Sequence, residues 1–305
     1  VVQGDGRDEA AGATRDPDQL TAPPSQIEAC QAIGAAMLVE FADVCERASV
    51  EFFLDAGTLL GAYRYGDWIP WDDDVDVLMT RSEYQRFREI APSLLPDWMR
   101  LSDPQCDGAH VTFVPRILYG DSRLVWVDAF GILPPERQVI NLDIFILDSA
   151  PRQPWGRRPW LAATRLLQAL SVMRSATLAG VVRSTPAWPK RMVGLLLVAG
   201  SRLLPARATK GLYFGVATAF EDSGSEDLFV LNHSAAQRAK PIKKAWISGK
   251  HQLPFAGRSY RVPDPVPYLT CHFGSDFRQE PPVSQRVSHR YEEFEAQLGD
   301  KRWRL

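Results

Sequence analysis

The chain has 305 residues, 45% hydrophobic and 24% charged, the proportions of a globular protein with ample material for a core. Its formal net charge of -2 gives no global pull toward nucleic acid, and no nucleic-acid partner is expected. Cys30, Cys45, Cys106 and Cys271 are scattered and form no CxxC pair, which argues against a zinc knuckle and a dense disulfide scaffold.

In chain order, residues 1–25 are polar, rich in Gly, Asp and Pro, and read as a disordered lead-in. From Ser25 to Val50 the pattern is helical: Ser25 and Glu28 have capping-box spacing, and Ile33, Met37, Leu38, Phe41 and Val44 recur at helical intervals. "VEFFLDAG" reads as a strand ended by Gly57, "TLLGAYRYG" as a short helix, and "DVDVLM" as a second strand. "RSEYQRFREIAPSLL" is a helix stopped near Pro96. The stretch from His110 to Leu133 alternates like strands joined at a tight Gly120–Asp121 turn, and "VINLDIFILD" is a further strand.

Residues 151–220 change character, becoming rich in Leu, Val, Ala, Trp and Arg and reading as two helices. The apolar run "MVGLLLVAG" is far short of the ~20 residues a bilayer crossing needs. A helical subdomain packed on the sheet is the plainer reading; an Arg- and Trp-bearing surface lying on a membrane is the sharper one. Beyond it, "HQLPFAGRSYRVP" predicts a hairpin turning at Ala256–Gly257, and "VPYLTCHFGSDF" a short helix capped by Gly274. "SQRVSHRYEEFEAQL" reads as a polar terminal helix. The expected organisation is a catalytic core at 26–150, a helical insertion at 151–227, and strands and a helix at 228–305 that complete the core. The expected fold class is α/β: a mixed sheet flanked by helices, with a helical insertion.

The anomaly is "WDDDVDVLM", where four carboxylates lead into a buried strand. On a strand, residues two apart share a face, so Asp74 and Asp76 are expected side by side, with Asp72 joining at the strand mouth. Asp73 is expected to point away into solvent. Paired carboxylates repel unless a cation lies between them, and oxygen ligands suit Mg²⁺ or Mn²⁺. Asp143 is a lone acid in an apolar strand; beside the first strand it would complete a three-carboxylate site for phosphoryl transfer. Gly57 and Thr58 open a helix directly after a strand, where free N–H groups favour phosphate. Arg64 lies within two turns of them and could contact phosphate or an aspartate.

Together "GTLLGAYRYGDWIPWDDDVDV", "NLDIFILD", "LPFAGRSYRVP" and "YLTCHFGSDFRQEPP" resemble the LicD family of phospho-alcohol transferases. The resemblance implies a nucleotidyltransferase-like fold, a CDP-alcohol donor and a sugar hydroxyl on a glycan or lipid-linked glycan as acceptor. It implies that Asp74, Asp76 and Asp143 hold the metal, with Asp72 in support. Gly57 and Thr58 would lie against the donor pyrophosphate, and Arg116 would neutralise phosphate. It also implies a cytoplasmic enzyme, peripheral at the inner membrane face, or a Golgi-lumenal one in a eukaryote. His289 and Tyr291 could line the acceptor side, although a solvated terminal helix is the plainer reading. Alternatives are a nucleotidyltransferase acting from an NTP, a metal-dependent glycosyltransferase using Asp74–Val75–Asp76, and a non-catalytic scaffold in glycan assembly.

Overall fold

Two strands that carry acids among apolar residues form the axis of the molecule. In the computed structural model, which describes residues 24–106, 113–126, 136–176, 188–203, 205–232, 240–286, 288–289 and 291–304, β2 (Val75–Thr80) and β7 (Asn141–Ser149) lie side by side and parallel. β1 (Phe53–Leu54) flanks β2, while β4 (Arg116–Tyr119) and then β3 (Met99–Ser102) flank β7. The far end of β7 pairs with β8 (Asp227–Val230), which pairs with β9 (Ile242–Lys243). The mixed α/β sheet expected from sequence is therefore present, and the expected lead-in lies almost wholly outside the described residues.

Strands covered on both faces read as unbroken apolar runs, which is why Val77–Met79 and Ile144–Leu147 show little alternation. The covering helix α1 (Pro24–Arg47) buries Ile33, Met37, Leu38, Phe41 and Val44 completely, at the spacing that marked it as helical. It starts one residue before Ser25, so Ser25 sits in the first turn and does not cap it. The helix α2 (Ala56–Tyr65) follows β1 directly, and α3 (Arg81–Leu94) follows β2, with Thr80 capping through a hydrogen bond from Glu83 N–H.

The reading of the tail needs correction. The tail is no helix: β12 (Tyr291–Leu298) pairs with β13 (Lys301–Arg304) and with β5 (Ser122–Trp126), which pairs with β6 (Glu136–Gln138). Phe294 and Ala296 are buried between the more exposed Glu293 and Glu295, a period of two that the high polar content obscured. Gly120 and Asp121 join β4 to β5 as expected, and the two strands lie in different sheets. The hairpin of β10 (His251–Phe255) and β11 (Arg258–Val262) turns where expected, with positive φ at Ala256 and Gly257. The short helix α7 (Pro265–Phe273) ends at Gly274, also as expected.

Between β7 and β8 lie α4 (Pro154–Ser175), α5 (Trp188–Leu203) and α6 (Ala206–Thr218). Pro205 splits the run that reads as one helix, and α5 and α6 meet at 101°. Trp160, Tyr213 and Ala217 pack with Phe113 and Phe229 to seat this helical unit on the sheet. No single described helix is long and apolar enough to cross a membrane.

One buried ion pair ties these layers together. Arg81, at the start of α3, donates to Asp148 near the end of β7 at 2.7–2.8 Å, and both side chains are almost fully enclosed. Burial pushes the Asp148 carboxyl up to about 6, against the pull of Arg81. Arg81→Met is expected to lower unfolding stability by about 3 kcal/mol at pH 8, because it strands a buried charge. Its folded pKa lies above the unfolded value, so the loss should shrink as pH falls and Asp148 protonates. Urea melts at pH 8 and pH 5 check both the size and the trend.

Candidate active site

The parallel register of β2 and β7 sets Asp76 directly beside Asp143. Asp76 is fixed through its backbone from both sides: its N–H donates to Thr58 Oγ1 at 2.9 Å, and its carbonyl accepts from Asp55 N–H at 3.0 Å. The residue is 7% exposed. Asp72, Asp73 and Asp74 precede the strand, on the bend that brings the chain past the start of α2.

Gly57 makes room for this bend. A Cβ there would collide with Asp72 Oδ2, so the Asp72 carboxylate occupies space that only glycine leaves open. Burial, followed by mutual repulsion, holds the carboxyls of Asp72 and Asp76 well above the usual range, and burial raises Asp74 as well. Gly57→Ala is expected to displace Asp72 while the fold survives, because the group that must move is a side-chain tip. Activity should fall at least about tenfold with little change in melting temperature; equal loss of both would make Gly57 a folding residue only.

Asp143 has its own partners. Its Oδ1 accepts from Arg116 Nε at 2.9 Å and from Asn141 Nδ2 at 2.6 Å. Arg116 faces Asp143 across the β4–β7 pair. Arg64 turns away from the carboxylates: its Nε donates to the Phe277 carbonyl at 2.7 Å, and Nη2 reaches the carbonyls of Phe277 and Gln279. Arg64 thus holds the segment after α7 against α2. Thr58 is 1% exposed, with its oxygen already accepting from Asp76.

Asp73 departs most from expectation. It is buried, with 3% of its side chain exposed, and it accepts from His289 N–H at 3.1 Å and pairs with His289 Nδ1 at 3.2 Å. That pairing raises the His289 pKa to about 10, although half of its side chain meets solvent. His289 Nδ1 also stands 3.9 Å from Asp74. Asp73 therefore meets the C-terminal segment and not solvent, and it shares His289 with Asp74.

Three further residues position the site. Asp55 is fully buried, caps α2 through Ala56 N–H at 2.8 Å, and accepts from Tyr268 O–H on α7 at 2.6 Å. The signal was present as an Asp just before a strand-to-helix glycine. Gly61 lets the 67–69 loop press on α2, since a Cβ would lie 2.6 Å from Asp67 O and 3.0 Å from Ile69 N. That loop delivers Asp72. His272 stacks on the Tyr268 ring at 4.4 Å.

The donor chemistry fits a hard divalent cation. Asp72, Asp74 and Asp76 offer oxygen only, repel one another, and hold raised pKa values that either protons or a cation would satisfy. The side chains are not gathered into a ready cage, because no three His, Cys, Asp or Glu among the described residues meet that geometry.

Comparison with known proteins places this arrangement. Residues 49–144 match the family model described as the LicD/FKTN/FKRP nucleotidyltransferase domain, which takes in α2, β2 and Asp143. The chain is 36% identical over 114 residues to the lipopolysaccharide cholinephosphotransferase LicD of Haemophilus influenzae, covering 37% of this chain and 41% of that protein. Over 34 residues it is 59% identical to the ribitol 5-phosphate transferase FKRP of Mus musculus, and equally to that of Homo sapiens, covering 11% of this chain and 7% of each relative. The chain thus spans less than half the length of the curated relatives it matches. Residues 49–144 are thus similar to the nucleotidyltransferase domain of the LicD family, in keeping with the sequence resemblance.

Proposed function

We propose that this chain is a LicD-type phosphotransferase that moves a phospho-alcohol, such as phosphocholine or ribitol phosphate, from a CDP-linked donor to a sugar hydroxyl. The acceptor is a glycan or lipid-linked glycan of the cell surface, and the work is done at the inner membrane face, or in the Golgi lumen in a eukaryote. The observation that carries the reading is the placement of Asp76 beside Asp143, with Asp72 against the start of α2, inside the segment that matches the family.

In the reaction the acceptor oxygen attacks the phosphorus that bears the alcohol. The bond from that phosphorus to the CMP oxygen breaks, CMP leaves, and the hydroxyl proton passes to a carboxylate. Asp74, Asp76 and Asp143 would hold Mg²⁺ or Mn²⁺, which supplies charge neutralisation on the transferring phosphate. Asp143 is anchored by Arg116 and Asn141, which fix its carboxylate in place. Thr58 fixes the Asp76 backbone, and the first turn of α2, whose Ala56 N–H is capped by Asp55, leaves the N–H groups of Gly57 and Thr58 to favour the donor pyrophosphate. Arg116 stands beside Asp143, where it can also draw a phosphate.

A CDP-alcohol labelled in the phosphate nearer the alcohol tests the direction of transfer. The label is expected on the glycan with unlabelled CMP released. Transfer of cytidylate to the acceptor, or pyrophosphate release from an NTP, would make the chain a nucleotidyltransferase in activity as well as in fold.

A further inference from the structure

Charge is distributed very unevenly along this chain. Residues 149–220 contain no Asp or Glu and eleven Lys and Arg, whereas the rest holds all 37 acidic residues against 24 basic ones. The same stretch forms α4, α5 and α6, together with residues outside the described set.

Helix α5 is apolar on both sides. Leu195 and Val198 turn inward against Met173 and Ala176 at the end of α4. Met192, Val193, Leu196 and Leu203 turn outward, exposed by 48, 57, 66 and 84%. Positions 192, 196 and 203 fall on one stripe of a helix, so these side chains form a continuous outer face. Trp188 opens α5 and Trp155 opens α4, exposed by 74 and 79%. The right-angled corner with α6 places Leu203 at its tip, between the exposed Arg202 and Arg207.

A soluble helix normally turns polar residues outward. An outward apolar stripe flanked only by basic residues fits a surface that is apolar below and anionic above. A second copy of this chain would present the same basic stretch, so like charges would meet and self-association is disfavoured. α5 has 16 residues, too few to span the ~30 Å hydrocarbon core.

We propose that α5 and the α5–α6 corner dock on an anionic lipid bilayer, lying in its interface. Leu196 and Leu203 enter the boundary between headgroups and acyl chains, while Arg202 and Arg207 meet lipid phosphates. Such docking would bring the carboxylate site to a lipid-linked acceptor, and in that sense it deepens the proposed reaction. Vesicle binding is measured without any donor, however, so failure here and failure of transfer are separate results.

The test is co-sedimentation with vesicles of phosphatidylcholine alone and of phosphatidylcholine with phosphatidylglycerol. Binding to the mixed vesicles is expected to be at least about tenfold tighter and to weaken with salt. Tryptophan emission should shift to the blue on binding, as Trp188 leaves water. L196D/L203D is expected to reduce binding at least about tenfold. R202E/R207E, at exposed sites that leave the fold intact, should remove the preference for phosphatidylglycerol. Absence of binding to the mixed vesicles, or unchanged binding by both variants, would overturn the proposal. So would a concentration-dependent dimer of the wild type that L196D/L203D abolishes, since a second copy would then cover the stripe.

Discussion

Asp76→Asn is expected to reduce transfer by about a hundredfold to a thousandfold or more, while leaving the protein at least as stable as before. The two effects separate because Asp76 is positioned by its backbone. The hydrogen bonds to Thr58 and from Asp55 use its N–H and carbonyl and survive the substitution. What is lost is the charge, and in the absence of a cation that charge is unfavourable. Burial comes first, followed by Asp74 and Asp143, in raising the Asp76 pKa well above the ordinary value. With the folded pKa above the unfolded one, ionisation costs stability as pH rises from about 4. The variant should therefore melt at a higher temperature than wild type at neutral pH, with the gap closing in acid. Mg²⁺ should raise the wild-type melting temperature and leave the variant unmoved. A variant that retained turnover, or one that was less stable at every pH, would count against Asp76 as part of the charged centre.

Asp73→Ala is expected to be severe, which reverses what alternation along the strand suggests. Reading the run by period alone makes Asp73 the dispensable member of the four. In the structure it receives two hydrogen bonds from His289, one from the backbone and one from the ring. The segment it holds leads directly into β12, which is docked on β5. Losing both bonds should cost about 2 kcal/mol. Turnover should fall by tens of fold, because His289 would no longer present a cation close to Asp74. The His289 pKa is raised to about 10, so this pairing is complete at neutral pH and is lost only as pH climbs through that value. Asp73→Asn separates the two roles: its amide oxygen still accepts from the backbone N–H. It should restore most of the stability but little of the turnover. A near wild-type Asp73→Ala would restore the solvated reading.

Most of the site's linear part was legible because it is local. A helix after a strand, an acid run opening a second strand, and one acid inside an apolar strand each carry a pattern set by neighbours in sequence. Pairing was less visible. That Asp76 lies beside Asp143 depends on a parallel register across 67 positions of chain. The roles of Asp73 and Arg64 depend on partners more than 200 residues away, His289 for the first and the carbonyls of Phe277 and Gln279 for the second. No local pattern marks such contacts. The tail was misread for a different reason: Phe294 and Ala296 alternate as a strand should, but the glutamates around them have strong helical propensity. β12 is a strand because β5 is there to pair with it, which is a tertiary decision. The α5 stripe shows the opposite limit, since its apolar residues read equally well as core until the fold shows which of them face outward.

The central claim is that the carboxylates around Asp76 run a cation-dependent transfer of a phospho-alcohol from a CDP-linked donor. Its most direct test is CMP release from CDP-choline and CDP-ribitol, with a glycan acceptor, in Mg²⁺ or Mn²⁺ and again in excess chelator. The expected result is CMP formed in step with phosphorylated glycan, lost in chelator, restored by the metal, and absent in Asp76→Asn. CMP release that ignored the chelator, or that persisted in Asp76→Asn, would contradict it.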